Sequence, residues 1–128
     1  MLRLCSRLAA WLLPVALIIS GLAVAAPPVA AAEVLQVRSA TLLQVGDSNR
    51  SYTVELACMA PIESERDQAL AWLRQQLPRR TRVNLRPIGN HDGILLARVQ
   101  KLGADQDLSR GLIEIGYAER LTEPAACR

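Results

Sequence analysis

Arg50-Ser-Tyr-Thr-Val-Glu-Leu-Ala-Cys-Met-Ala-Pro61 decides the fold. It follows a turn cluster, Gly46-Asp-Ser-Asn49, and alternates Tyr52, Val54, Leu56 and Cys58 against Ser51, Thr53, Glu55 and Ala57. A period of two, with β-branched and aromatic residues on the apolar side, predicts a half-buried strand that Pro61 ends. Upstream, Val34–Arg38 and Thr41–Val45 have strand character and are joined by Ser39-Ala40. Downstream, Ser64-Glu-Arg-Asp67 supplies a helix cap and early acids. Leu70, Leu73 and Leu77 then make one helical stripe with Ala69 and Trp72 beside it, and Pro78 stops the helix. Trp72 is read as core or partly covered.

Arg79–Pro87 predicts a fourth strand, with Thr81, Val83 and Leu85 on one side and Arg80, Arg82, Asn84 and Arg86 on the other. Gly89–Gly93 reads as a turn and Ile94–Val99 as a fifth, nearly all-apolar strand. Asp107 caps a second helix to about Ile115, with Leu108, Leu112 and Ile115 inward and Gly116 at its C-terminal end. The tail from Leu121 to Arg128 reads as short and polar apart from Cys127. The expected fold class is mainly β with helices (α+β). It is a five-stranded OB-type barrel with one helix between strands three and four and one after strand five.

The 128 residues suit one domain. Aromatics are 3% with no Phe, so the core must come from Leu, Val, Ile and Ala. Residues 1–32 combine Arg3 and Arg7, an apolar run from Leu8 to Val24, and small residues at Ala30 and Ala32. They predict a signal peptide that engages the membrane transiently, with cleavage near Ala32/Glu33 and a domain over 33–128. The rival reading is an uncleaved anchor, which Pro14 and the shortness of the run disfavour. Export places the protein in the periplasm or outside the cell. Removing Arg3 and Arg7 leaves 13 basic against 12 acidic residues, so only local patches of the remainder could pull on nucleic acid. In an oxidising compartment Cys58 and Cys127 form an even pair expected to bridge. The alternative is a small buried hydrophobe and a free end.

Four segments resemble the thermonuclease (staphylococcal nuclease-like) domain family. Tyr52–Pro61 resembles that family's V-R-L-x-G-I-D-A-P-E strand, and Ala69-Leu-Ala-Trp-Leu73 its following helix. Asp92–Val99 resembles Y-G-R-x-L-A-x-V, and Gly111–Ala118 resembles A-L-V-x-x-G-L-A. The resemblance spans roughly residues 34–118 and implies the same barrel. It also implies calcium-dependent phosphodiester hydrolysis by clustered carboxylates, a general base and two arginines. The implied positions hold other residues. The D-G-D-T turn reads Arg38-Ser-Ala-Thr41. Met59 and Ile62 stand at the Asp and Glu places, and a one-residue slip brings in Glu63 as a weak catalytic candidate. Glu55 or Val54 stands at the first arginine place, and Ile94 at the second.

The expectation is therefore an exported thermonuclease-like barrel without metal or cofactor, catalytically inactive, that binds a polyanion such as nucleic acid, or a protein, as a monomer. The alternative is a calcium-dependent nuclease with a rearranged site. A purely structural envelope role is a third reading. Arg80, Arg82 and Arg86, with Arg79 beside them, are the binding candidates; their bland role is to guard a sheet edge. His91-Asp92 reads as a solvated turn, and Asp105 and Asp107 lack the remaining ligands of a calcium loop.

Overall fold

The computed structural model describes residues 30–128. The expected leader lies outside the described residues as far as Val29; Ala30–Ala32 already belong to the first strand. In chain order the elements are β1 (Ala30–Val37), β2 (Leu42–Asp47), β3 (Arg50–Leu56) and β4 (Met59–Pro61). A 3-10 turn, Glu63–Glu65, leads into α1 (Arg66–Gln76). Then come β5 (Arg82–His91), β6 (Ile94–Lys101), α2 (Leu108–Glu114), β7 (Ala118–Arg120) and a last 3-10 turn at Ala125–Cys127.

Five strands close a barrel in the order β1-β2-β3-β6-β5. Only β3 and β6 run parallel. Closure depends on β1, which serves two partners: Ala30–Glu33 pair with β5, and Glu33–Val37 pair with β2 across a bulge at Val34/Gln36. A bulge raises local twist, which lets one strand turn from one neighbour to the other. With α1 between the third and fourth barrel strands and α2 after the fifth, the architecture is the expected α+β, OB-fold-like barrel.

Alternation sorts the strands as expected. Val34, Leu43, Val45, Val54, Leu56, Val83, Leu85 and Val99 fill the interior at no more than 1% exposure. Ala69 and Leu73 of α1 and Leu112 of α2 join the same core. Among the described residues no helix is long and apolar enough to cross a membrane.

The differences from expectation are local. The opening stretch is two strands, because Cys58 adopts φ +70° and breaks the pleat. β4 leaves the barrel to pair with β7, and the Cys58 carbonyl accepts from the Leu121 N–H at 3.0 Å. The strand β7, just before the tail, was not expected, and the tail from Leu121 to Arg128 contributes a 3-10 turn of its own. Ser64 caps nothing; it lies inside the 3-10 turn, and α1 starts from Glu65 without a side-chain cap bond. The Ile62 N–H is tied to the Tyr117 carbonyl at 3.0 Å, and the Glu65 N–H turns back to the Ile62 carbonyl at 2.8 Å. That tie sets where the helix can begin.

β5 starts at Arg82 rather than Arg79, since Arg80 sits in a turn at φ +74°. It passes Pro87 by a bulge between Pro87 and Gly89, where a missing N–H is tolerated. The expected turn over Gly89–Gly93 narrows to Asp92 (φ +52°) and Gly93 (φ +78°), the positive-φ pair a two-residue hairpin demands. α2 begins as expected, with the Asp107 carboxylate accepting from the Arg110 N–H at 2.9 Å. Ile115, expected inward, is 44% exposed because the helix has already ended beside it.

Candidate functional site

Cys58 and Cys127 are bonded, joining positions 69 residues apart. Both are buried, in a second apolar cluster with Ala57, Ile88 and Leu96. Leu96 and Ile88 project from β6 and β5 away from the barrel core, so the disulfide fastens the C-terminal turn against the outside of the barrel.

The positions where the resemblance implies metal and phosphate chemistry are occupied by structural contacts. At the β1–β2 bend the Ser39 hydroxyl accepts from the backbone N–H groups of Thr41 (3.2 Å) and Leu42 (3.1 Å), which knits the loop to itself. Met59 is 4% exposed and packs into the main core. Glu55 lies on the outer side of β3, and its carboxylate meets His91 Nε2 at 2.9 Å. His91 therefore belongs to the end of β5 and pairs with Glu55, not with its neighbour Asp92 in a solvated turn. Among the described residues no three His, Cys, Asp or Glu side chains converge as metal ligands. Glu63 is 86% exposed and pairs with Arg66 at 3.3 Å. Asp107, already the cap of α2, also accepts from Arg98 at 2.9 Å.

The arginines do not form the single row expected. Arg80, in its turn, pairs with Glu33 at 3.6 Å. Arg79 donates to the Leu35 carbonyl at 3.3 Å. Arg82 and Arg86 do share the outer side of β5, both exposed, and among the described residues neither has a carboxylate within 4.0 Å. Arg82 faces a groove of about 520 Å³, where β1 turns from β2 to β5 and the β2–β3 hairpin stands clear of it. Arg50 and Asp47 line its far wall. There the Tyr52 hydroxyl donates to Asp47 Oδ2 at 3.0 Å, with the Arg50 guanidinium 5.4 Å from the ring centroid. Burial pushes the Tyr52 phenol above its ordinary 10.0; the bond to Asp47 and that carboxylate's charge add to the rise, and Arg50 opposes it.

Sequence reading passed over three further arginines that the fold gathers. Arg98, Arg110 and Arg120, from β6, α2 and β7, line one recess beside the disulfide. Arg98 was legible as an outward position on β6, since Ala97 and Val99 on either side are apolar and buried. Its convergence with Arg110 and Arg120 depends on where the disulfide holds the tail, which no local pattern encodes. No protein-family model matches the chain, and a search of curated proteins finds no match either.

Proposed function

We propose that the chain is an exported, thermonuclease-like barrel that binds a polyanion without cleaving it. The observation that carries this reading is Glu55. At the place where the resemblance implies a phosphate-clamping arginine stands a carboxylate, held by His91 at 2.9 Å. A negative group there repels a phosphodiester, and Met59, at the place of the first calcium carboxylate, is turned into the core. The scaffold is kept and the charge pattern of the reaction is not. The Cys58–Cys127 bridge supports an oxidising compartment and hence export.

The binding surface is the outer side of β5. Arg82 and Arg86 are four residues apart, roughly 13 Å along a strand. Each offers an unmatched guanidinium fork suited to phosphate oxygens. Arg80 takes no part, being engaged with Glu33.

Binding of single-stranded DNA, measured from 50 to 200 mM salt, tests the reading. Two phosphates neutralised on a single strand give a log–log slope of about −1.4, or a roughly sevenfold loss of affinity over that range. Arg82→Ala/Arg86→Ala should flatten the slope. Binding with no salt dependence, or an unchanged slope in the variant, would overturn it. Calcium-dependent cleavage abolished by Glu63→Gln would instead establish the alternative, a nuclease with a rearranged site.

A further inference from the structure

We propose that the recess between α2, β7 and the disulfide is a subsite for one tetrahedral oxyanion of the phosphate class. Three guanidinium groups, those of Arg98, Arg110 and Arg120, line it together with a single carboxylate, Glu114. Like charges brought to one pocket repel, and that cost is relieved by an anion between them.

The charges there are unequally matched. Arg98 is paired: its Nη1 donates to Asp107 at 2.9 Å, and among the described residues its other N–H groups make no side-chain bond. Glu114 Oε1 accepts from Gln106 Nε2 at 3.2 Å. Among the described residues Arg110 and Arg120 have no carboxylate within 4.0 Å. Across the sheet Arg86 is the direct partner of Arg98, adding a further cation on the same outer side of β5 and β6.

Size selects the ligand class. The recess holds about 190 Å³. Pockets for drug-sized molecules begin at about 300 Å³. The space therefore suits a single anionic group with a few waters, and arginine forks bind tetrahedral oxyanions through paired N–H donors. The wall is rigid where it matters. The disulfide forms one side, and the buried Ser109 hydroxyl anchors α2 to the Ala57 carbonyl at 2.6 Å.

The phosphate group could arrive free or as part of a polymer. The polymer source rests on the polyanion reading above; the free source does not. Titrating the full chain with inorganic phosphate, followed through the arginine Nε–H resonances, tests the subsite. Arg110 and Arg120 should shift and saturate in the millimolar range. Arg110→Ala/Arg120→Ala should weaken binding at least tenfold, while Arg82→Ala/Arg86→Ala leaves it within twofold. Both pairs are exposed, and an unchanged melting temperature would show that the fold is intact. No saturable shift in the wild type, or equal binding in Arg110→Ala/Arg120→Ala, overturns the subsite.

A second arm uses single-stranded DNA. Competition between phosphate and DNA supports the subsite with the polymer as its source. Phosphate bound without effect on DNA supports it with a free anion as its source. If phosphate binds at Arg110 and Arg120 while the wild type binds no DNA, the subsite stands and the polyanion reading falls.

Discussion

Gly111 shows how closely one residue can be specified by its neighbour. A Cβ built at Gly111 would stand 2.8 Å from Trp72 Cη2 and 3.3 Å from Cζ2. Glycine inside a helix costs about 1 kcal/mol relative to alanine. Here the lost propensity is offset because the indole of Trp72 from α1 approaches the backbone of α2 closely at Gly111. Gly111→Ala should therefore lower stability despite its better helix propensity, by about 1 kcal/mol once overpacking of 1–3 kcal/mol is set against the gain. Urea unfolding of that variant, and of Gly111→Ala combined with Trp72→Leu, checks the cause: the second change should restore stability. Tyr52 carries a pH prediction. Its phenol is held protonated, with a pKa above the ordinary 10.0. A group whose pKa is raised by folding contributes fully below its unfolded value, and the contribution is lost as pH rises through the folded value. Melting temperature should fall above pH 10 in the wild type and fall less in Tyr52→Phe. Phenolate absorbance should place the titration of Tyr52 above that of a free tyrosine.

At the scale of elements, α2 depends most on a single side chain. It has only seven residues, too few to persist alone. Asp107 both caps it and neutralises Arg98. Asp107→Ala should cost about 1 kcal/mol for the cap, with a further loss from leaving Arg98 unmatched. Asp107→Asn, a good cap without the charge, should recover the first loss and not the second. Thermal melts of the two variants separate them. Asp107 was also legible from sequence, because a cap is a local device: one carboxylate, one N–H three residues on. Ser64 had the same local signature and failed, because Ile62 is tied to Tyr117 from a distant part of the chain. The same contrast runs through the strands. Alternation marked Val54, Leu56, Val83 and Leu85 as interior. It passed straight through Cys58, whose φ of +70° turns the chain out of the barrel toward its pairing with β7. Arg80 was misplaced for the same kind of reason: its two-residue spacing from Arg82 fits a strand, while its backbone sits in a turn. The pairing of Glu55 with His91 spans 36 residues and has no local trace at all.

For the whole molecule, two long-range closures hold the shape, one covalent and one by strand pairing. The disulfide joins residues 69 apart, and a loop of that size contributes about 4 kcal/mol in the chain-entropy account. The pairing closure is the seam between β1 and β5, where Ala30, Ala31 and Ala32 face Leu85, Asn84 and Val83. It runs through the place where the sequence leads one to expect a processing cut, after Ala32. A chain beginning at Glu33 keeps the pairing of β1 with β2, Glu33 opposite Arg82 and the backbone bonds of Val34 to Arg80 and Thr81, but loses the pairing of all three alanines with β5. The Ala32 side chain, 6% exposed, would leave the core, and the backbone groups of Val83–Leu85 would face an open edge. A chain starting at Ala30 should therefore melt several degrees above one starting at Glu33. Its β5 amides should also exchange more slowly, with the difference confined to the Val83–Leu85 side of that strand. Equal melting temperatures and equal protection would mean that β2, β3, β6 and the disulfide hold the barrel closed without this seam.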